Sequence, residues 1–343
     1  MESGSTAVTL SLRRFLWIYF YLFVLLFQGC SDDDSFNEIY LEGEPIPGVE
    51  IVFPLGLYDG EPLMPKISPN GKMLLFKGPT SLPDWKGLWV MDLETKEKIL
   101  LHPDGKIGDW APDSEWIAFN INTNIYKIKK DGSNLTQLTF EGRNFYPAWS
   151  GDSNLIAYDN TSCGSQSQPP PPNSCGILIC DHEGSNKNFL VRGRIPSWGL
   201  DNHYLIYNGL HSELFMFTFS DSVSLQLTTL NLDSASFNEI RSIDTYSETE
   251  KVLFHNSNGI YYFDLRSGSL ERILPNELYN STISPEFYFA YPSWHPDGEH
   301  IIYEHFEITH TKRYTDKTHV EGSIKFYKVN AAAAVATSNL PLE

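Results

Sequence analysis

The sequence predicts an all-β fold, a six-bladed β-propeller whose N-terminal strand closes the last blade. Three observations predict it. A word made of a proline, an aromatic anchor, a tight polar turn and an apolar strand recurs, as in "YPAWSGDSNLIAYD" (146–159), "IPSWGLDNHYLIYN" (195–208) and "YPSWHPDGEHIIYE" (291–304). The anchors Ile67, Trp110, Trp149, Trp198, Thr245 and Trp294 stand 43, 39, 49, 47 and 49 residues apart, each with an aromatic nine residues on. A second strand–turn–strand unit follows each anchor, so a complete repeat supplies four strands, which make one blade.

Residues 1–29 read as an export signal, the alternative being an uncleaved anchor helix. Arg13 and Arg14 precede an apolar run at 15–27 that as a helix rises only about 20 Å, short of the roughly 30 Å hydrocarbon core. "LFQGC" (26–30) resembles the lipobox of bacterial lipoproteins, with Gln28 where a small residue is usual. The resemblance implies that Cys30 is acylated and becomes the new N-terminus, with the membrane reached through a lipid anchor. It also implies placement at the bacterial outer membrane, periplasmic or surface-exposed. "SDDD" (31–34) resembles the acidic run that directs some lipoproteins outward, and residues 30–46 serve as an acidic tether.

The propeller occupies 47–330. Between anchor and aromatic come "SPNG", "APDS", "SGDS", "GLDN", "YSET" and "HPDG", in which Pro and Gly punctuate and Asp or Asn bonds the backbone ahead. The recurring Asp113, Asp152, Asp201 and Asp297 are therefore turn closers and not metal ligands. The strands that follow ("MLLF", "WIAF", "LIAY", "YLIY", "KVLF", "HIIY") are unbroken apolar runs, as expected when both faces are covered. The fifth copy has Thr245 in place of tryptophan and is the weakest. The sixth ends early, and "VEIVF" (49–53) is expected to lie beside 323–330, supplying its missing strand and removing an open edge.

Residues 161–174 interrupt the third repeat with a proline run at 169–172. Cys163 and Cys175 bracket that loop and are expected to form a disulfide, which export permits. Cys180, in "GILIC", is expected to be a buried free thiol. Residues 276–289 lead into the sixth repeat without an assignment, and 331–343 form a C-terminal tail. Together, "PAWSGDSNLIAY" and the "IYKIKKDGSNLTQLT"-type hairpins resemble the TolB-type, WD-repeat-like propeller over about 47–330. No α/β domain precedes the repeats, so TolB's own partners are not implied; a cell-envelope setting is.

The formal net charge of −18 sets 43 Asp plus Glu against 25 Lys plus Arg, and removing 1–29 makes it −19. Nucleic acid and anionic headgroups are thereby excluded as default partners. A serine hydrolase would need a G-x-S-x-G elbow, which is absent. Five of the ten histidines (His295, His300, His305, His310, His319) fall in the last repeat. On one continuous strand His300 and His310 would be about 33 Å apart, too far to share an ion. No catalytic residue, metal or cofactor is assigned. Four residues before each anchor the innermost strand should begin near the channel, and Lys106, Arg194 and Arg241 stand there with Phe145. Arg143, Arg192 and Tyr291 lie close by, giving a basic, aromatic-lined mouth. The expected function is a lipid-anchored envelope module binding a protein or an anionic ligand at that mouth. The competing readings are a metal-dependent, lyase-like enzyme on an anionic carbohydrate and a purely structural part of a surface complex.

Overall fold

The computed structural model describes residues 44–53, 63–162, 175–199, 202–209, 213–229, 240–246, 250–256, 259–275, 287–313 and 318–331. The expected signal segment, Cys30, most of the expected tether, Cys163, the proline run, Asp201, residues 276–286 and most of the expected tail lie outside the described residues.

The described chain folds into six four-stranded antiparallel sheets arranged as a ring, a six-bladed β-propeller. The first strand, β1 (Glu44–Phe53), belongs to the last blade. Blade 1 holds β2 (Lys66–Ile67), β3 (Met73–Gly78), β4 (Gly87–Asp92) and β5 (Lys98–His102); blade 2 holds β6 (Gly105–Trp110), β7 (Trp116–Ile121), β8 (Asn124–Lys129) and β9 (Thr136–Gln137). Blade 3 is β10 (Asn144–Trp149), β11 (Leu155–Asn160), β12 (Gly176–Asp181) and β13 (Asn188–Val191). Blade 4 is β14 (Arg194–Trp198), β15 (Tyr204–Asn208), β16 (Glu213–Thr218) and β17 (Val223–Thr229). Blade 5 is β18 (Ser242–Thr245), β19 (Lys251–Asn256), β20 (Gly259–Asp264) and β21 (Leu270–Pro275), and blade 6 has β22 (Phe287–Trp294), β23 (His300–Arg313) and β24 (Thr318–Asn330).

Ring closure follows the expected pattern. β1 pairs antiparallel with β24, setting Glu50 opposite Lys325, Ile51 opposite Ile324 and Val52 opposite Ser323. It begins at Glu44, ahead of the expected strand start at Val49 and of the expected propeller start at 47, and its register slips between Pro45 and Glu50. Pro45 and Pro47 fall in that slip, and neither can donate to a ladder.

The second strand of each of blades 1 to 5 is buried on both faces, as is 301–304 of blade 6. The aromatics at its end, Phe76, Phe119, Tyr158, Tyr207, Phe254 and Tyr303, are all buried. The core lies between blades: Leu75, Leu88 and Val90 of blade 1 pack against Trp110, Ile117 and Phe119 of blade 2, and the other interfaces repeat this. Losing one such aromatic to alanine costs about 3–5 kcal/mol.

In blades 1, 2, 3, 4 and 6 the turn four residues past the anchor needs left-handed backbone. Gly71 (φ 73°), Ser114 (60°), Ser153 (62°), Asn202 (60°) and Gly298 (70°) supply it. This is why Gly, Asn or Ser ends "SPNG", "APDS", "SGDS", "GLDN" and "HPDG". The aspartates close those turns: Asp113 Oδ1 accepts the N–H groups of Glu115 (2.9 Å) and Trp116 (3.3 Å), and Asp297 Oδ1 accepts those of Glu299 (3.0 Å) and His300 (2.9 Å). Blade 5 forms a full sheet without a tryptophan. Thr245 donates its hydroxyl to the Trp198 carbonyl, and its N–H reaches Ser197 Oγ at 3.1 Å, which bonds it to the blade before. Cys180 is a buried free thiol, and Cys175 is disulfide-bonded.

Candidate functional site

The innermost strands, β2, β6, β10, β14, β18 and β22, surround an axial channel with a waist and two unlike ends. At the waist stand Met64, Ile107, Tyr146, Ile195, Ser242 and Tyr291, one from each blade, around a cavity of about 50 Å³. Each lies three residues before its anchor. Four of them precede proline, and those four have positive φ: Met64 52°, Tyr146 50°, Ile195 53° and Tyr291 49°. The antiparallel register slips between Phe145 and Ala148, Arg194 and Ser197, and Ala290 and Ser293, so the waist is a ring of bulges. Left-handed backbone costs a non-glycine residue roughly 1–2 kcal/mol, held in place here by the flanking ladders.

At the entry end, where the innermost strands begin, the structure places the basic residues picked out from the sequence. Tyr291 is in the waist itself, and Phe145 and Arg194 lie one residue before it on their strands. Lys106, Arg143 and Arg192 are exposed, and Arg241 is half-buried. Arg194 is paired: its Nε donates to Asp159 Oδ2 at 3.0 Å, and that carboxylate side chain is only 1% exposed. Lys106, Arg143, Arg192 and Arg241 make no salt bridge with any described residue.

Just behind this end lies a belt that sequence reasoning missed. The residue after the buried aromatic is polar in all six blades, Lys77, Asn120, Asp159, Asn208, His255 and Glu304, and all six are buried. The signal was plain in "LLFK", "IAFN", "IAYD", "LIYN", "VLFH" and "IIYE". Four of these side chains reach the next blade. Glu304 Oε2 accepts the N–H groups of Leu63 (2.7 Å) and Met64 (3.3 Å), and Asp159 takes Arg194. Asn208 Nδ2 donates to the Ile240 carbonyl at 3.4 Å, and the His255 ring lies 4.3 Å from that of Tyr291. Within its own blade, His255 Nδ1 shares a 2.6 Å hydrogen bond with Ser242 Oγ.

Burial sets the charge states of the belt. It pushes the Glu304 carboxyl up to about 7 against two backbone N–H groups and Lys77, and the Asp159 carboxyl up to about 6 against Arg194. Burial, with Arg241 adding to it, lowers His255 to about 3, so its imidazole is neutral. Asp159 Oδ1, Asn208 Oδ1 and His255 Nε2 are buried without a hydrogen-bond partner among the described residues.

At the far end the anchors themselves surround a wider cavity of about 270 Å³, to which every blade contributes. Lys66, at its base, reaches Asp109 Oδ1 of blade 2 at 2.7 Å and Asp244 Oδ1 of blade 5 at 3.1 Å. The second oxygens cap the next blade: Asp109 Oδ2 accepts the Trp149 N–H (2.8 Å) and Asp244 Oδ2 accepts the Trp294 N–H (2.7 Å). Burial alone would depress the Lys66 ammonium, but Asp109 and Asp244 hold it above its ordinary range. Trp110 and Trp198 donate their indole N–H to the carbonyls of Lys66 (3.2 Å) and Ala148 (3.0 Å) in the preceding blade. Trp149 and Trp294, which follow the aspartates, have no partner for theirs among the described residues.

Of the blade 6 histidines, His295 and His300 converge on one carboxylate. His295 Nδ1 and His300 Nδ1 approach Asp297 Oδ2 at 2.8 and 2.9 Å, with Lys328 Nζ 3.3 Å from the same oxygen, so an ammonium already serves that carboxylate. His305 packs against Tyr327 at 4.8 Å. The backbone of His310 lies opposite Glu321 and that of His319 opposite Lys312. Among the described residues no three His, Cys, Asp or Glu side chains are placed to hold a metal ion.

Fold and channel together define a six-bladed β-propeller of repeated four-stranded units. No protein-family model matches the chain, and no curated protein matches it. Solved structures similar to it include a chain of a nidogen/laminin complex, with 11% identity, 67% of this chain and 89% of that chain covered, and a TM-score of 0.48. An oligogalacturonate lyase in complex with manganese has 11% identity, covers 83% of this chain and 98% of its own, and has a TM-score of 0.44. The oligogalacturonate lyase of Vibrio parahaemolyticus has 10% identity with the same coverages and a TM-score of 0.45. These likenesses concern the fold and assign no activity.

Proposed function

We propose that this chain is a binding module of the bacterial cell envelope, of the TolB-type propeller kind, exported and acylated at Cys30. In this reading the lipid holds it at the outer membrane, and the entry end of the channel engages a protein or an anionic ligand. One observation carries the binding site: Lys106, Arg143, Arg192 and Arg241 gather at the strand starts without a salt bridge to any described residue. In a chain of net charge −18 these cations are a local reversal of sign, which draws an anionic surface toward the mouth.

The test replaces Lys106 and Arg241 together with serine and leaves Arg194 alone, because removing Arg194 would strand the buried Asp159 carboxylate. Crosslinking in intact envelopes should lose at least one partner captured by the parent, with folding unchanged by circular dichroism. An identical set of captured partners would end the reading. Anchoring is tested separately: Cys30→Ser should move the protein from the membrane to the soluble fraction and abolish fatty-acid labelling.

A further inference from the structure

The wide end of the channel differs in chemistry from the entry end and needs its own account. Four tryptophans, Trp110, Trp149, Trp198 and Trp294, stand around it together with Tyr246. The charged residues in its lining are Lys66, Asp109 and Asp244, one cation and two carboxylates. The base therefore holds two carboxyl groups and one ammonium, and burial, opposed by Lys66, raises the Asp244 carboxyl. The lysine is not free to swing away, since it is tied to blades 2 and 5 at 2.7 and 3.1 Å. A volume of about 270 Å³ is below the usual range of a drug-sized ligand pocket. It suits one long side chain better than a folded element.

We propose that this end binds the cationic head of an arginine or lysine side chain presented by a polypeptide partner. The ligand's charge joins Lys66 beside the two carboxyl groups and favours their ionised forms. The tryptophans are 5–8% exposed and wall the cavity, so its charged groups set the preference, and the partly desolvated site strengthens their attraction for a cation. Lys66 shows what the aspartates accept: an ammonium within hydrogen-bonding reach of both. The two ends of the channel would then select groups of opposite sign, separated by the waist. This inference does not depend on the anionic-partner reading, because no entry-end cation lines this cavity.

The experiment uses the mature chain and three blocked tripeptides, acetyl-Gly-Xaa-Gly-amide with arginine, citrulline or glutamate at the centre. Tryptophan fluorescence and calorimetry both report binding. Saturable binding of the arginine peptide is expected, at least tenfold tighter than citrulline, with no binding of glutamate. In Asp109→Asn the base keeps one carboxyl against Lys66, and the arginine peptide should weaken at least fivefold. In Lys66→Met the place of the ammonium beside Asp109 and Asp244 is open to the ligand's cation, and affinity should rise. Citrulline binding as well as arginine in the parent protein would overturn the proposal without recourse to any variant. So would the absence of saturable binding, or a shift of both variants in one direction. Lys106→Ser with Arg241→Ser should leave this titration unchanged, so failure here and failure at the entry end are read separately.

Discussion

His255 is where acid should act on the ring. Its side chain is fully buried, bonded through Nδ1 to Ser242 at 2.6 Å and packed on Tyr291 of the next blade at 4.3 Å. Burial, and then Arg241, lower the imidazole to about 3, whereas in an unfolded chain it titrates near 6.5. Between those values the unfolded chain takes up a proton that the fold excludes. The resulting stability is fully present above about pH 6.5 and is lost progressively as pH falls toward 3. From pH 7.5 to pH 5 the loss amounts to about 2 kcal/mol. Asp159 and Glu304 act in the opposite sense. Their raised carboxyls make the charged forms costly, so they reduce stability as pH climbs from the ordinary carboxylate range to about 6 and 7. His255→Asn isolates the histidine, since both carboxylates remain in parent and variant. Urea unfolding of the two proteins at pH 5.0 and 7.5 gives two pH differences. The parent should lose about 2 kcal/mol more than the variant on acidification. A difference below about 0.5 kcal/mol would refute the argument, because that is the ordinary scatter of such comparisons.

Other consequences follow from the same geometry. Trp198→Phe removes a 3.0 Å bond to Ala148 and should cost about 1 kcal/mol more than Trp294→Phe, whose indole N–H has no described partner; thermal unfolding of the pair decides it. Ser153→Gly relieves a φ of 62° and should stabilise by roughly 0.5–1 kcal/mol, read from the urea midpoint. Deleting 44–53 opens the β24 edge and should yield soluble aggregates by light scattering, whereas a monomeric, fully folded product would show that the blade tolerates three strands.

The extent of what was legible can be traced residue by residue. Blade number, the closure of 49–53 on 323–330 and the double-sided burial of the second strands depend on period and polarity. Neighbours in sequence fix both, so the sequence showed them. The turn words were equally legible, since only a few residue types accept a φ near 60–70° four places after the anchor. The entry-end cations were picked out from a strand-start rule, and Tyr291 alone among those residues proved to line the waist. The polar belt was written in the sequence but went unread, because a single polar residue at the end of an apolar strand looks like a strand terminus.

By itself, then, the sequence determined the repeat and its order around the axis, because each blade is built from local hairpins. Only the tertiary structure decided which side chains meet across the axis. Asp109 and Asp244 are 43 and 178 residues from Lys66 in sequence, yet all three share one ion-paired cluster. No local pattern encodes that meeting. It arises because ring closure brings one position of every blade to a common centre, where charge and burial are set by blades distant in the chain.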